Sequence, residues 1–286
     1  MKASVLVGVD GSASSLQALT WAAQEATLRG TPLRIVYAAL RWAYDVPLVP
    51  QPAHWGPAVE TAARNLLGQA AERARAHAPT AEITTEIIDG AAAESIAAAA
   101  QDAQLIVVGS RGRGGFAGLL LGSVSRDLAT RAPCPVVVAG PPHPTGGRGG
   151  DAEIVAGVLG HPDQDPVLEF AFGEAALRGV ALRAVHAWTH PALRAPGDMQ
   201  PLVIDLDSVG QEEARLLAES IGGWRQKFPD VPLIEHVVHG HPAKALIDAS
   251  ESAGLVVVGA PRRAWAPGST VHALLHHAHA PVAVVH

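Results

Sequence analysis

The fifteen residues Glu25-Ala-Thr-Leu-Arg-Gly-Thr-Pro-Leu-Arg-Ile-Val-Tyr-Ala-Ala39 pass from an alanine-rich helical stretch through a glycine into an apolar run. The same pattern returns as Glu174-Ala-Ala-Leu-Arg-Gly-Val-Ala-Leu-Arg-Ala-Val-His-Ala-Trp188, aligned without gaps and identical at nine of the fifteen positions. Gly30 is typical of a helix end, because glycine readily adopts the left-handed conformation that closes a helix. The stretch therefore predicts a helix–glycine–strand unit that occurs twice.

Two further pairs of segments extend this repeat over the chain. Val5–Val9 matches Ile154–Val158, and Leu105–Gly109 matches Leu255–Gly259. The period of about 150 residues is too long for a solenoid unit and indicates tandem duplication of a whole domain. Between the copies, the Pro- and Gly-rich residues 140–150 lack apolar periodicity, which is typical of an exposed linker. The expected organisation is a first domain over residues 1–140, a linker over 141–150 and a second domain over 151–286.

Within each half, short apolar runs alternate with alanine-rich segments of helical spacing. The apolar runs lack in/out alternation, which is typical of strands buried on both faces. Such an order implies parallel strands joined by right-handed crossovers, with helices on both faces. The predicted fold class is α/β: two tandem Rossmann-like domains, each an open five-stranded parallel sheet. The expected strands are Val5–Val9, Leu33–Ala38, Ile83–Ile88, Leu105–Val108 and Val136–Val138, then Ile154–Val158, Leu182–Ala187, Leu233–Val238, Leu255–Val258 and Val282–Val285.

The amino-acid composition excludes several classes of protein. The 286 residues are 48% hydrophobic, which is enough for real cores and excludes a disordered chain. A net charge of −6 gives no general attraction to nucleic acid or anionic lipid. The single cysteine, Cys134, excludes an internal disulfide. Apolar runs stay below the roughly 18 residues of a membrane span, and Asp10 comes too early for a signal peptide. We expect a soluble, cytoplasmic protein without nucleic-acid or membrane partners.

Polar and glycine residues follow two of the predicted strands. Asp10-Gly11-Ser12 comes after the first strand, and Gly109-Ser110-Arg111-Gly112 comes after the fourth. Nine residues later, Gly122-Ser123-Val124-Ser125 opens a helix. In doubly wound sheets, ligands bind beyond the carboxyl ends of the strands where strand order reverses. Helix N-terminal N–H groups suit phosphate oxygens, and an aspartate can accept hydrogen bonds from ribose hydroxyls. Together these parts predict an adenine-nucleotide pocket.

Each of these residues also has a purely structural interpretation. Glycines after a strand commonly form turns, Ser123 can simply cap its helix, and Asp10 can shape the turn into the first helix. Their joint position at adjoining strand ends favours the pocket over these separate interpretations.

The glycine spacing resembles a known signature. Gly109-x2-Gly112-x9-Gly122-Ser123 is similar to the nucleotide-binding pattern G-2x-G-9x-G-[S/T] of the universal stress protein family. Val7–Ser12 resembles the family's first strand and turn, and Cys134–Val138 resembles its last strand. The resemblance covers nearly the whole chain, as two tandem domains.

The resemblance implies a ligand and the residues that hold it. In nucleotide-binding members, ATP is held, with a divalent metal such as Mg²⁺ able to accompany it. The aspartate contacts the ribose, backbone at the end of the second strand reaches the adenine, and the glycine loop wraps the phosphates. Domains pair into dimers or pseudo-dimers through the last strand, so a homodimer and an unidentified protein partner are expected. The matching positions here are Gly8, Asp10, Ala38, Gly109, Ser110, Arg111, Gly112, Gly115, Gly122, Ser123, Val124 and Ser125.

The second half departs from this signature. Leu159 occupies the position of Asp10, and Arg262 occupies the position of the second glycine. Pro261 also removes a backbone donor. Gly268-Ser269 follows Gly259 by 9 positions, where Gly122 follows Gly109 by 13. We therefore expect one competent ATP site per chain, in the first half, with the second half serving packing or dimerisation; whether Gly268-Ser269-Thr270 holds an anion stays open.

Other functions fit the sequence less well. Gly118–Ser123 has the wrong spacing for a Walker A loop and no lysine. Gly112-x-Gly114-x-x-Ala117 fits the loose dinucleotide fingerprint, but no acidic residue ends the following strand. No general base is visible near the loop, so an enzyme is not expected, although slow ATP hydrolysis stays open. The alternative to an ATP-binding stress-response regulator is a nucleotide-free interaction scaffold of the same fold.

The remaining features are two histidine clusters, one cysteine and one loop. His272-x3-His276, with His277 and His279, has metal-ligand spacing, but no cysteine or close carboxylate completes the set, so the sequence favours surface histidines. His236-x2-His239-x-His241 is a second such cluster. Cys134 lies between two prolines at the start of a strand and is expected to be a buried, inert thiol. Residues 41–52 form a Pro- and aromatic-rich loop that could cover the adenine pocket, form an interface or simply connect.

Overall fold

A computed structural model describes residues 3–39, 55–112, 121–140, 152–160, 164–189, 205–260 and 268–286. The expectations for Gly115, for the loop 41–52, for the linker 141–150 and for Arg262 fall outside the described residues. No helix in the described ranges is long and apolar enough to cross a membrane.

In the first half, strands and helices alternate as expected. The elements are β1 (Ser4–Gly8), α1 (Ala13–Arg29), β2 (Leu33–Ala39), α2 (Trp55–His77), β3 (Ile83–Asp89), α3 (Ala92–Ala99), β4 (Ala103–Gly109), α4 (Ser123–Arg131) and β5 (Val136–Ala139). Helix α1 ends at Gly30, whose φ of +61° is the predicted left-handed cap.

The second half repeats this order. Its elements are β6 (Ile154–Gly157), α5 (Asp165–Arg178), β7 (Leu182–Trp188), α6 (Leu206–Lys227), β8 (Leu233–His239), α7 (Pro242–Ala249), β9 (Leu255–Gly259), α8 (Ser269–His277) and β10 (Val282–Val285). Gly179 ends α5 with a φ of +66°, as Gly30 ends α1.

All these strands form one sheet in the order β3-β2-β1-β4-β5-β10-β9-β6-β7-β8. Pairing is parallel within each half, which confirms the predicted α/β fold class. The halves join through an antiparallel pair in which Val137 of β5 lies opposite Ala283 of β10. Strand order reverses between β1 and β4, so the carboxyl ends of these two strands flank the crevice where such folds bind ligands.

Helices cover the sheet on both faces. Leu19 of α1 and Phe172 of α5 belong to one buried layer, together with residues of α2 and α6. Leu128 of α4 and Leu274 of α8 belong to the opposite layer, together with residues of α3 and α7. Each layer runs across the β5–β10 junction, so the two halves share both cores.

Four charged side chains join α1 to α5 beside this junction. Arg29 donates to Glu25 on its own helix at 2.5 Å and also to Glu174 of α5. Arg178 donates to Glu25 across the junction at 2.5 Å and also to Glu174. Glu25 and Glu174 are 1% and 2% exposed. Burial, and then repulsion from Glu25, raises the pKa of Glu174 to about 7. We call these four residues the junction cluster.

Candidate functional site

The first part of the site is the turn between β1 and α1. Gly11 has a φ of +81°, a conformation that glycine adopts without strain. The N–H of Ser12 donates to Asp10 Oδ1 at 2.9 Å, and Ser12 caps α1 by accepting from Ser15 N–H at 3.2 Å. The N–H of Asp10 donates to Ser15 Oγ at 3.3 Å. These bonds hold the Asp10 carboxylate at the carboxyl end of β1.

The loop after β4 is bonded to the start of α1. Ser12 Oγ donates to Arg111 O at 3.3 Å, and Arg111 N–H donates to Ser14 Oγ at 3.2 Å. The hydroxyls of Ser14 and Ser110 lie 3.4 Å apart. The bonds from Ser12 and Ser14 to the loop after β4 were not predicted from the sequence. The signal for it is the pair of serines in the helix start directly after Asp10, where hydroxyls commonly bond nearby backbone.

The glycines of this region occupy their positions for two different physical reasons. A Cβ at Gly109 would lie 2.7 Å from the carbonyl carbon of Ser14, so glycine is needed there for α1 to approach β4. A Cβ at Gly8 would lie 2.9 Å from Ile96 Cδ1 of α3, and Gly157 in the second half meets Leu246 in the same way. Gly109 is therefore explained by packing against the backbone of α1, whereas at Gly8 only the end of the Ile96 side chain would have to move.

Gly112 and Gly122 are explained differently. A Cβ at Gly112 would come within 3 Å of the Asp10 carboxylate, at 2.8 Å from Oδ2, and of no other described atom. A Cβ at Gly122 would make only ordinary contacts, the nearest being Ser110 O at 3.5 Å and the nitrogen of Gly112 at 3.7 Å. Gly112 thus lies beside Asp10 and Gly122 lies beside Gly112, and packing does not require Gly122 to be a glycine.

Helix α4 begins directly beyond Gly122. Its N-cap is Gly122, and no side chain caps it. The first bond along the helix runs from Arg126 N–H to Gly122 O at 3.2 Å, so the N–H groups of residues 123–125 point out of the helix start. Ser125 is buried and its hydroxyl donates to Gly109 O at 2.6 Å. Ser125 therefore fixes α4 to the end of β4, while Ser123 is exposed at the helix N-terminus.

Ala38 is the last residue but one of β2 and lies beyond the point where the neighbouring strand β1 ends. Pairing of β1 with β2 ends with Gly8 opposite Val36 and with Val9 N–H donating to Val36 O at 2.9 Å. Backbone groups alternate sides along a strand, so those of Ala38 face the space beyond β1.

The second half keeps the turn and lacks the carboxylate. Leu159 is 72% exposed at the position of Asp10. Its N–H donates to Gln164 Oε1 at 2.7 Å, as Asp10 N–H donates to Ser15. Gly160 has a φ of +71°, close to that of Gly11. The local fold of the turn therefore does not depend on the acidic residue.

Comparison with known proteins finds relatives that match nearly the whole chain. A model of the universal stress protein family matches residues 1–140 and 152–286. The chain is 36% identical over 297 aligned positions to universal stress protein Rv2005c of Mycobacterium tuberculosis, covering 98% of this chain and 96% of that protein. The chain belongs to the universal stress protein family. Universal stress protein Rv2623 of the same organism is 35% identical over 280 positions, covering 93% and 89%.

Solved universal stress proteins share this fold. One from Archaeoglobus fulgidus superposes with a TM-score of 0.74 at 20% identity, covering 100% of this chain and 98% of that one. A functionally unknown protein of Pseudomonas aeruginosa, PA1789, superposes with a TM-score of 0.62 at 20% identity, covering 99% and 92%. These likenesses extend over both halves and the junction between them.

In this universal stress protein, the residues predicted from the sequence fall into two groups. At the carboxyl edge of the first half of the sheet, Asp10 lies against Gly112, Gly122 and Ser123 follow beside Gly112 at the start of α4, and Ala38 lies near the end of the neighbouring strand β2. The side chains of Ser110 and Ser125 are buried and bonded within the protein, and Val124 of α4 packs against the core. Arg111 is exposed, with its backbone bonded to Ser12 and Ser14.

Proposed function

We propose that this universal stress protein is an ATP-binding regulator of the stress response, with one nucleotide site per chain in its first half. The observation that carries the proposal is the position of Asp10. Its carboxylate lies against Gly112, at the strand-order reversal of the first half, and Gly112 in turn lies beside Gly122, the N-cap of α4. The second half has the same turn without a carboxylate, so it serves packing.

The residues present fit a nucleoside triphosphate. The Asp10 carboxylate accepts hydrogen bonds from ribose hydroxyls, and the backbone of Ala38 bonds the base. The uncapped start of α4 and the backbone of Gly112 donate N–H groups to phosphate oxygens, and the helix dipole adds to that attraction. Mg²⁺ would neutralise phosphate charge when bound with the nucleotide.

Association with a second copy or with another protein belongs to the same proposal. The last strand of each half is already paired, because β5 lies against β10 within one chain. A homodimer of the full chain therefore uses a surface other than this strand edge.

Calorimetric titration of ATP with Mg²⁺ into the full chain tests the proposal, after nucleotide has been removed. We expect saturable binding with one site per chain. No heat of binding, together with no nucleotide released from the purified protein on denaturation, would favour the nucleotide-free scaffold.

A further inference from the structure

Helix α8 carries a cluster of imidazole side chains, away from the candidate nucleotide site of the first half. His272 and His276 are one helical turn apart, and their ring centroids lie 4.4 Å apart with the planes tilted by 32°. His277 follows, with its ring centroid 6.0 Å from that of His276. His272 is exposed and His276 is half-buried, so both rings are held at the surface of one helix.

The two rings are close enough to share one metal ion. A Zn–N bond measures about 2.0–2.1 Å, so one ion can bridge two nitrogens up to about 4 Å apart. Histidines at i and i+4 on a helix present their rings on the same face. Small rotations of the two side chains would direct one nitrogen of each ring to a common point.

We propose that His272 and His276 of α8 form a two-histidine binding site for a divalent transition metal such as Zn²⁺, Ni²⁺ or Cu²⁺. Imidazole nitrogen suits these ions, whereas Mg²⁺ prefers oxygen ligands. Among the described residues, no group of three or more His, Cys, Asp and Glu side chains could hold a metal. Water or an added ligand then completes the coordination of the ion. The site is independent of the nucleotide proposal, because it uses no residue of the first half.

Metal titration of the tag-free full chain tests this site. Cu²⁺ binding is followed by electron paramagnetic resonance, which reports nitrogen ligands, and Zn²⁺ binding by calorimetry. His272→Ala and His276→Ala each remove one ligand, and His272 is exposed, so its variant should fold normally. His236→Ala is the matched control, since His236 is an exposed histidine on β8.

We expect one bound ion per chain and a nitrogen signature for Cu²⁺. Either α8 variant should raise the dissociation constant by about tenfold or more, the scale expected when a metal site loses a stabilising group, whereas the His236 variant should bind normally. Absence of saturable binding would overturn the proposal. So would unchanged binding in both α8 variants, or an equal loss in the His236 variant.

Discussion

The Oδ2 atom of Asp10 lies where a side chain at position 112 would begin, 2.8 Å from the Cβ that Gly112 lacks. These two residues come from turns a hundred positions apart in the chain. Ser12 and Ser14 hold the turns together, because both bond the backbone of Arg111. The Asp10 carboxylate and the Gly112 backbone are the groups that the proposed function places against ribose and phosphate.

Replacement of Gly122 by Asp should abolish ATP binding and leave the fold intact. The backbone there has a φ of −75°, and the new Cβ would make only ordinary contacts, so the chain can accept the side chain. Aspartate is also a good helix N-cap. Its negative charge would repel phosphate oxygens at the same N-terminus. Calorimetry measures the affinity, and thermal unfolding checks the fold.

Gly268→Asp is the matched control for that variant. Gly268 caps α8 as Gly122 caps α4, also without a side-chain cap, and a Cβ there would meet nothing within 4 Å. We expect unchanged ATP affinity in Gly268→Asp. Equal affinities in the two variants would show that the phosphates do not lie at the start of α4.

Replacement of Asp10 by Leu copies the second half, where Leu159 follows the equivalent strand β6. Loss of hydrogen bonds to a charged acceptor costs about 1.5–3 kcal/mol, so ATP affinity should fall about ten- to a hundredfold. Asp10→Asn keeps an oxygen that can accept from Ser12 N–H, and thus preserves the turn while removing the charge. If both variants bind ATP as well as the parent chain, Asp10 has only a turn-forming role.

Removal of Arg178 should destabilise the whole chain. Arg178→Ala leaves Glu25 and Glu174 buried with only Arg29 to neutralise them, and breaking a buried ion pair costs about 3–5 kcal/mol. Arg215→Ala removes an exposed ion pair with Glu219 on α6, which should change the free energy of unfolding by less than about 1 kcal/mol. Denaturant unfolding of both variants measures the difference. Equal effects would mean that the junction cluster does not join the halves.

The junction cluster also predicts a pH dependence of stability. The pKa of Glu174 rises from 4.5 to about 7 in the folded protein, so the folded state binds a proton that the unfolded state has released. The contribution of this group to stability is therefore present below pH 4.5 and is lost as pH rises through about 7. Glu174→Gln should flatten the fall of the free energy of unfolding between pH 4.5 and about pH 7.

Glu169→Gln provides the control for this pH dependence. Glu169 lies on the same helix and pairs with Lys227 in an exposed position. This variant should keep the fall of stability with pH that the parent chain shows. A parent chain that gains stability over this range would contradict the raised pKa.

Local patterns predicted most of the fold. Apolar runs flanked by glycine located the strands to within about two residues, and the Gly30 cap followed from the helix–glycine–strand unit. The junction cluster could not be predicted, although Glu25 and Arg29 recur as Glu174 and Arg178. Their spacing is equally typical of pairs on a solvated helix face, and only the β5–β10 pairing brings the two helices together.

The sequence predicted the site as a set of positions. The structure shows that the glycines among them have different neighbours and therefore different reasons to be glycine. Gly109 is needed for close packing against the backbone of α1, and Gly8 contacts the end of Ile96, while Gly112 lies beside Asp10 and Gly122 beside Gly112. A sequence signature combines both requirements, because a glycine that admits a neighbouring helix and a glycine that admits a ligand are the same residue type. Comparison with the second half helps to distinguish them, since Gly157 keeps the packing contact of Gly8 where the carboxylate is absent.

The most direct test of a single nucleotide site is to denature the freshly purified full chain and quantify the released nucleotide by chromatography. Excess ATP and Mg²⁺ are added to a parallel sample before unbound ligand is removed. We predict one adenine nucleotide per chain in the saturated sample and none in saturated Gly122→Asp. Two nucleotides per chain would contradict the assignment of packing to the second half, and none would contradict a nucleotide site in the first.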